Sequence, residues 1–145
     1  METIRDLLQE KERRPLCATF PGSSVLDATR LMNAERIGAL LVMEERQVVG
    51  IFTERDVLQR VVAEGRSPSA TPVAAVMTTE VVCCGPETPV DEVAEMMRRE
   101  RIRHVPVVAG DAVVGMVSIG DINAHRFNHC EAALHQVEDY IHRRA

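Results

Sequence analysis

One internal duplication constrains this chain more than any other feature. Gly50-Ile51-Phe52-Thr53-Glu54-Arg55-Asp56 returns 65 positions later as Gly115-Met116-Val117-Ser118-Ile119-Gly120-Asp121. Without a gap, the same offset aligns Pro21 with Pro86, Val25 with Val90, Met32 with Met97 and Ile37 with Ile102. It also aligns Glu35-Arg36 with Glu100-Arg101, and Val48-Val49 with Val113-Val114. Repeats of this kind bury their apolar faces against a neighbouring copy. Two copies are too few for an open array. They are expected to form one compact unit with pseudo-two-fold symmetry and two equivalent clefts, one per copy.

Periodicity gives the elements of each copy. Ile4, Leu7 and Leu8 form a short helical stripe ahead of the first copy. Leu16 to Phe20 reads as a brief strand closed by Pro21-Gly22, and Ser23 or Ser24 can cap the helix bearing Val25, Ala28, Leu31 and Met32. Ile37 to Met43 and Gln47 to Phe52 are apolar runs of strand length around a turn at Glu44, Glu45 and Arg46. Glu54 to Glu64 is helical by pattern and Gly65 stops it. The second copy repeats this order. A short helix at Val73, Val76 and Met77 is followed by a strand from Glu80 to Cys84. Thr88 can cap a helix bearing Val93, Met96 and Met97. Strands at Arg103 to Ala109 and Ala112 to Ser118 lead into a helix near Ile119. Each copy is thus a small three-stranded sheet with helices packed on it, an α/β (α+β) architecture. By sequence, residues 1–66 hold the first copy and its leading helix. Residues 67–72, rich in Pro and Ser, are the linker, and 73–145 hold the second copy with an extended C-terminal helix.

Composition narrows the function. The formal net charge of −5 does not favour nucleic acid, although Arg98 to Arg103 make a local basic patch. No apolar run nears the ~18 residues of a membrane span, and the charged start lacks the apolar core of a signal peptide. The expected compartment is the cytoplasm. Cys17, Cys83, Cys84 and Cys130 form no C-x-x-C pair and read as reduced, packed residues. His125 and His129 are four apart on the last helix and can share a metal, but no H-E-x-x-H-type motif accompanies them; a solvated helix face is the plainer reading. No nucleophile and base stand in a recognisable arrangement, so the chain is read as non-enzymatic.

The repeated block carries the candidate chemistry. Gly50 and Gly115 permit close backbone approach. Thr53 and Ser118 fall where a strand becomes a helix, with Asp56 and Asp121 in the first helical turn. Two readings fit. The hydroxyl and carboxylate can cap the helix and meet its dipole. Equally, a carboxylate there can accept two hydrogen bonds from ribose hydroxyls, beside a helix N-terminus that receives phosphate.

Val48 to Asp56, Ile102-Arg103-His104-Val105-Pro106-Val107 and Val113 to Asp121, in this order and duplicated, resemble a tandem pair of cystathionine β-synthase (CBS) domains, a Bateman module. The resemblance spans about Thr3 to about Ala124. It implies an α/β sandwich with two clefts between the repeats that bind adenosyl ligands: AMP, ADP, ATP, S-adenosylmethionine or NAD(H), with AMP or ATP favoured. No cofactor is implied. Carried over residue by residue, it puts Asp56 and Thr53 in one cleft and Asp121 and Ser118 in the other. Arg55 is a further phosphate candidate, opposite Gly120 in the other copy. Arg101, Arg103 and His104 cluster where the first copy has no basic group at Gly38-Ala39, so the clefts are unequal. Ile37, Thr19 and Cys84 complete the candidate set, the last two through backbone that can meet an adenine edge. The function implied is a regulatory module that senses energy or metabolite state. An interaction scaffold with vestigial clefts is the alternative. Its support is the long last helix, whose stripe of Ile122, Cys130, Leu134, Val137 and Ile141 suits either its own domain or a second subunit. By resemblance a homodimer through helices is expected, with a regulated protein partner that the sequence does not name.

Overall fold

The structure is a computed structural model that describes residues 1–11 and 16–144. Residues 12–15, the end of the charged leading stretch, and residue 145 lie outside the described residues. In chain order the elements are α1 (Ile4–Glu10), β1 (Ala18–Thr19), α2 (Val25–Glu35), β2 (Ala39–Glu44), β3 (Gln47–Thr53) and α3 (Glu54–Asp56), which runs on as a π-helical segment (Val57–Val62). A 3-10 turn (Val73–Ala75), α4 (Val90–Glu100), β4 (His104–Ala109), β5 (Ala112–Ser118) and α5 (Ile119–Arg144) follow. The chain packs as two units. The first is Pro15–Val81; the second is Val82–Ala145 together with Met1–Arg14. Packing therefore divides the chain differently from the repeat. The helix that leads the first copy in sequence packs with the second, and the turn that leads the second packs with the first.

In the first unit, Ser24 caps α2 by accepting from the Asp27 N–H at 3.1 Å. This fixes Val25, Ala28 and Met32 on the buried face. Beneath them β2 pairs antiparallel with β3 and parallel with β1, giving the order β1-β2-β3. The hairpin tip, Glu45 and Arg46, has φ of 50° and 66°. Two successive positive φ values suit a two-residue loop whose twist matches the strands. Leu40, Val42, Phe52, Val61, Val73 and Val76 close the core with the α2 face. Each fully buried side chain of this size contributes about 1.5–3 kcal/mol. The π-helical stretch closes with an i→i−5 bond, Ala63 N–H to Leu58 O at 3.0 Å, and Gly65 follows at φ 67°.

In the second unit, α4 buries Val90, Val93 and Met97 against Val105, Val107, Val117 and Ile122, with Ile4 and Leu7 of α1 in the same core. Pro89, not Thr88, stands at the helix N-cap; the Thr88 hydroxyl instead accepts from the Gly85 N–H at 3.0 Å. The strand expected from Glu80 to Cys84 shrinks to one parallel bridge, Cys84 to Val107. Its counterpart in the first unit, Thr19 to Val42, is preceded by a second pairing, Ala18 to Leu41, in which the Leu41 N–H reaches Cys17 O at 3.3 Å. Pro106 occupies the position equivalent to Leu41. It has no N–H to donate, so that rung is lost. The second sheet accordingly has two strands, β4 and β5.

Candidate functional site

Each unit places its Asp at a strand-to-helix junction. In the first, β3 ends at Thr53, which is the N-cap of α3. Asp56 Oδ2 accepts from the Thr53 N–H at 3.0 Å and from its hydroxyl at 3.2 Å, and Thr53 Oγ1 accepts from the Asp56 N–H at 3.3 Å. This is a reciprocal capping box built with Asp. The other oxygen, Oδ1, accepts from the Thr78 hydroxyl at 3.4 Å and lies 3.7 Å from Arg60 Nε. Arg60 also donates to the carbonyls of Val76 and Met77, at 3.2 and 3.0 Å. Asp56 is only 6% exposed, and a carboxylate so buried requires such pairing.

The second junction keeps the capping and changes the surroundings. Asp121 Oδ2 accepts from the Ser118 N–H at 2.8 Å, and Ser118 Oγ accepts from the Asp121 N–H at 3.0 Å. Lys11, just past α1, donates to the same Oδ2 at 2.8 Å and to Met116 O at 2.9 Å. The Asp121 side chain is 21% exposed. His104 pairs across the strands with Ser118, and the Ile119 N–H donates to Arg103 O at 2.8 Å. The backbone of Arg103 and His104 thus adjoins the Ser118–Asp121 cap at the start of the 26-residue helix α5. In the first unit the same two links join Ala39 to Thr53 and Glu54 to Gly38, where no basic side chain stands.

The repeated glycines admit packing: backbone and a side chain at Gly50, a side chain alone at Gly115. A Cβ on Gly50 would lie 2.7 Å from Met77 Sδ and 2.9 Å from Thr78 O. One on Gly115 would lie 3.0 Å from Leu8 Cδ2. In each unit the segment that packs there leads the other copy in sequence, and it carries the residue that holds the Asp: Thr78 in one, Lys11 in the other.

The remaining candidates are spread more widely. Arg55 is half-buried in α3. Arg101 is the left-handed C-cap of α4 at φ 56°, exposed like Arg103. Ile37 packs on the first core and donates its N–H to Met32 O at 3.0 Å. Thr19 pairs with Val42 in β1. Cys84 is buried, and its thiol is pushed up to about 11 by burial and then by neighbouring Cys83. Its N–H donates to Pro106 O at 3.0 Å and its carbonyl accepts from Val108 at 2.8 Å, so the sheet engages the groups expected to face adenine. Sequence reasoning missed Lys11 and Thr78. Nothing in local spacing could have found Lys11, which lies 110 positions from its partner.

Comparison with known proteins identifies the family of the repeated unit. The CBS domain model fits residues 4–63 and again 73–127. The chain is 37% identical over 130 residues to the CBS domain-containing protein CBSX3, mitochondrial, of Arabidopsis thaliana, covering 83% of this chain and 62% of that protein, so it spans less than two thirds of this relative's length. Among solved structures, a putative signal-transduction protein with CBS domains from Burkholderia ambifaria MC40-6 superposes with a TM-score of 0.81 at 37% identity, covering 83% of this chain and 90% of the other. Two more distant structures hold ligands. Protein PAE2072 from Pyrobaculum aerophilum is complexed with AMP (27% identity, TM-score 0.73, covering 83% and 89%). The CBS domain pair of protein MJ0100 is complexed with 5-methylthioadenosine and S-adenosyl-L-methionine (25% identity, TM-score 0.77, covering 88% and 98%). With both copies matched by the same domain model and the fold shared with such pairs, the chain belongs to the CBS domain family as a tandem pair.

Proposed function

We propose that this CBS pair is a non-enzymatic regulatory module that binds an adenosyl ligand at the second junction and reports energy or metabolite state. One observation carries the reading: the backbone of Arg103 and His104 adjoins the Ser118–Asp121 cap at the N-terminus of a long helix, while the first unit has Gly38 and Ala39 in place of Arg103 and His104. Asp121 would accept from ribose hydroxyls, since a carboxylate has about four acceptor sites and its capping and Lys11 bonds fall on Oδ2. The positive end of α5, with Arg103, His104 and Arg101, would favour a phosphate, which makes AMP or ATP preferred over S-adenosylmethionine. Thr53, Arg55 and Asp56 form the weaker site, because the Asp56 carboxylate is buried and engaged on both oxygens. The AMP complex of PAE2072 supports the ligand class. Cysteines in no paired motif support a reducing compartment, here the cytoplasm.

Thermal unfolding against millimolar AMP, ATP, NAD(H) and S-adenosylmethionine tests this. A ligand at 100 times its Kd adds about 2.7 kcal/mol. Arg103→Ala and Asp121→Ala should each weaken binding at least about tenfold, and Asp56→Ala far less. If no ligand shifts the transition, the sensor reading fails.

A specific observation favours self-association as well. Along α5, Phe127, Cys130, Leu134, Val137 and Ile141 are all exposed, at alternating spacings of three and four. That is the seam of a coiled coil, and a second copy of α5 is the partner it fits. Leu134→Glu with Ile141→Glu should turn the dimer into a monomer by light scattering. An unchanged mass would remove α5 from the interface.

A further inference from the structure

The solvated helix face expected of the α5 histidines holds for the exposed His129, His135 and His142 but not for His125. His125 is 5% exposed, and α1 supplies the acidic groups that no sequence motif offered. His125 and His129, one turn apart, stand with ring centroids 4.2 Å apart and planes at 45°. Glu10, the last residue of α1, bonds one nitrogen of each ring: Oε2 to His125 Nδ1 at 2.7 Å and Oε1 to His129 Nε2 at 3.1 Å. Glu2, just ahead of the Thr3 cap of α1, faces the other two nitrogens. Its Oε2 is 3.5 Å from His125 Nε2 and its Oε1 is 3.8 Å from His129 Nδ1.

These two sets of distances differ in kind. The Glu10 pair are hydrogen bonds. The Glu2 pair are too long to be good ones. They do approach the separation of about 3.4 Å between ligands that share a tetrahedral ion at about 2.0–2.1 Å. One ligand atom from each of Glu2, His125 and His129 lies within 4.8 Å of the others. Glu10 meanwhile stands where a metal-binding imidazole needs a carboxylate on its far nitrogen, fixing tautomer and ring orientation.

We propose that Glu2, His125 and His129 form a binding site for a divalent transition-metal ion of the zinc type, with Glu10 positioning both imidazoles. Imidazole with carboxylate suits Zn2+ and its neighbours rather than Ca2+ or Mg2+, which prefer all-oxygen shells. Three protein ligands leave a fourth position for water or another donor. The ion would clip the start of α1 to α5, tying the two ends of the second unit together.

The test is calorimetric titration of the tag-free full chain with ZnCl2, with thermal unfolding in Zn2+ and in EDTA. One Zn2+ per chain and a rise in Tm are expected. Glu2→Gln and His129→Ala alter half-exposed side chains, so the fold should survive; each should weaken Zn2+ binding at least about tenfold. Cys130→Ser with His135→Ala removes the neighbouring donors of α5 outside the site and should leave affinity within about twofold. Absence of Zn2+ binding at 100 μM overturns the proposal. So does binding that survives both Glu2→Gln and His129→Ala, or that disappears with Cys130→Ser and His135→Ala.

Discussion

The two strand-to-helix junctions come from one repeated block, yet the same carboxylate lives in different company. Asp56 is buried and accepts from neutral donors, the Thr53 N–H and the Thr53 and Thr78 hydroxyls, with Arg60 at longer range. Asp121 is more open, and a flexible lysine replaces the threonine. The capping geometry is what repetition preserves, because a helix that starts at a strand end must satisfy its first N–H groups in either copy. What else the carboxylate meets is free to diverge: Thr78 and Arg60 on the second oxygen of Asp56, Lys11 on the capping oxygen of Asp121. The buried version is suited to holding structure, and the open version to exchanging partners.

The largest test of that contrast is to remove each carboxylate. Asp56→Ala deletes the box, leaves the Thr78 hydroxyl without its acceptor and removes the ion pair with Arg60, which keeps the Val76 and Met77 carbonyls; a loss of about 3 kcal/mol is expected. Asp121→Ala loses the same box, but Lys11 can turn to water; about 1 kcal/mol is expected. Urea unfolding of the two variants measures both. Equal losses would mean that burial does not separate the junctions.

The glycines sharpen the comparison at a smaller scale. In Gly50→Ala the new methyl meets the backbone carbonyl of Thr78 as well as the Met77 thioether, and backbone yields poorly; about 2 kcal/mol is expected. In Gly115→Ala it meets only the tip of Leu8, which can rotate, so the cost should stay below about 1 kcal/mol. A Tm loss larger for Gly115→Ala than for Gly50→Ala would reverse the assignment of which contact is rigid.

Much of this was legible in the sequence, for identifiable reasons. The offset located both Asp residues, both capping hydroxyls and both glycines, because helix starts and close approaches need particular residue types. The strands of the hairpins were legible as continuous apolar runs of strand length, which in β2 and β4 reflect consecutive buried residues. The partners were not legible. Thr78 and Lys11 carry no local pattern, since their contacts depend on leading segments that pack with the other copy. The lost rung at Cys84 was half visible: Pro106 stands in the sequence, but its effect needs the pairing register. Likewise the spacing of His125 and His129 was plain, while Glu2 and Glu10 join them only through folding. Glu100-Arg101 repeats Glu35-Arg36, yet spacing alone did not show that both arginines take left-handed backbone at a helix end.

The smallest expected effect lies in α1, whose place in the first unit is taken by the 3-10 turn Val73–Ala75. Partial burial would raise the Glu10 carboxyl, but hydrogen bonds from His125 and His129, with their charges, outweigh it and hold the group below its ordinary 4.5. A carboxyl depressed by folding stabilises the native state at pH above its unfolded value, and that stabilisation is lost as pH falls through the folded value. Wild type should therefore exceed Glu10→Gln in stability at neutral pH, by well under the losses above because Glu10 is 45% exposed on its side chain. The gap should close as pH drops below 4.5. Amide exchange gives the location. On acidification, protection of α1 in wild type should fall to that of Glu10→Gln, while β2 and β3 of the first unit respond alike in both proteins. A gap that does not narrow as pH falls from neutral into acid, or one that widens, would mean that the Glu10 carboxylate does not hold α1 against α5.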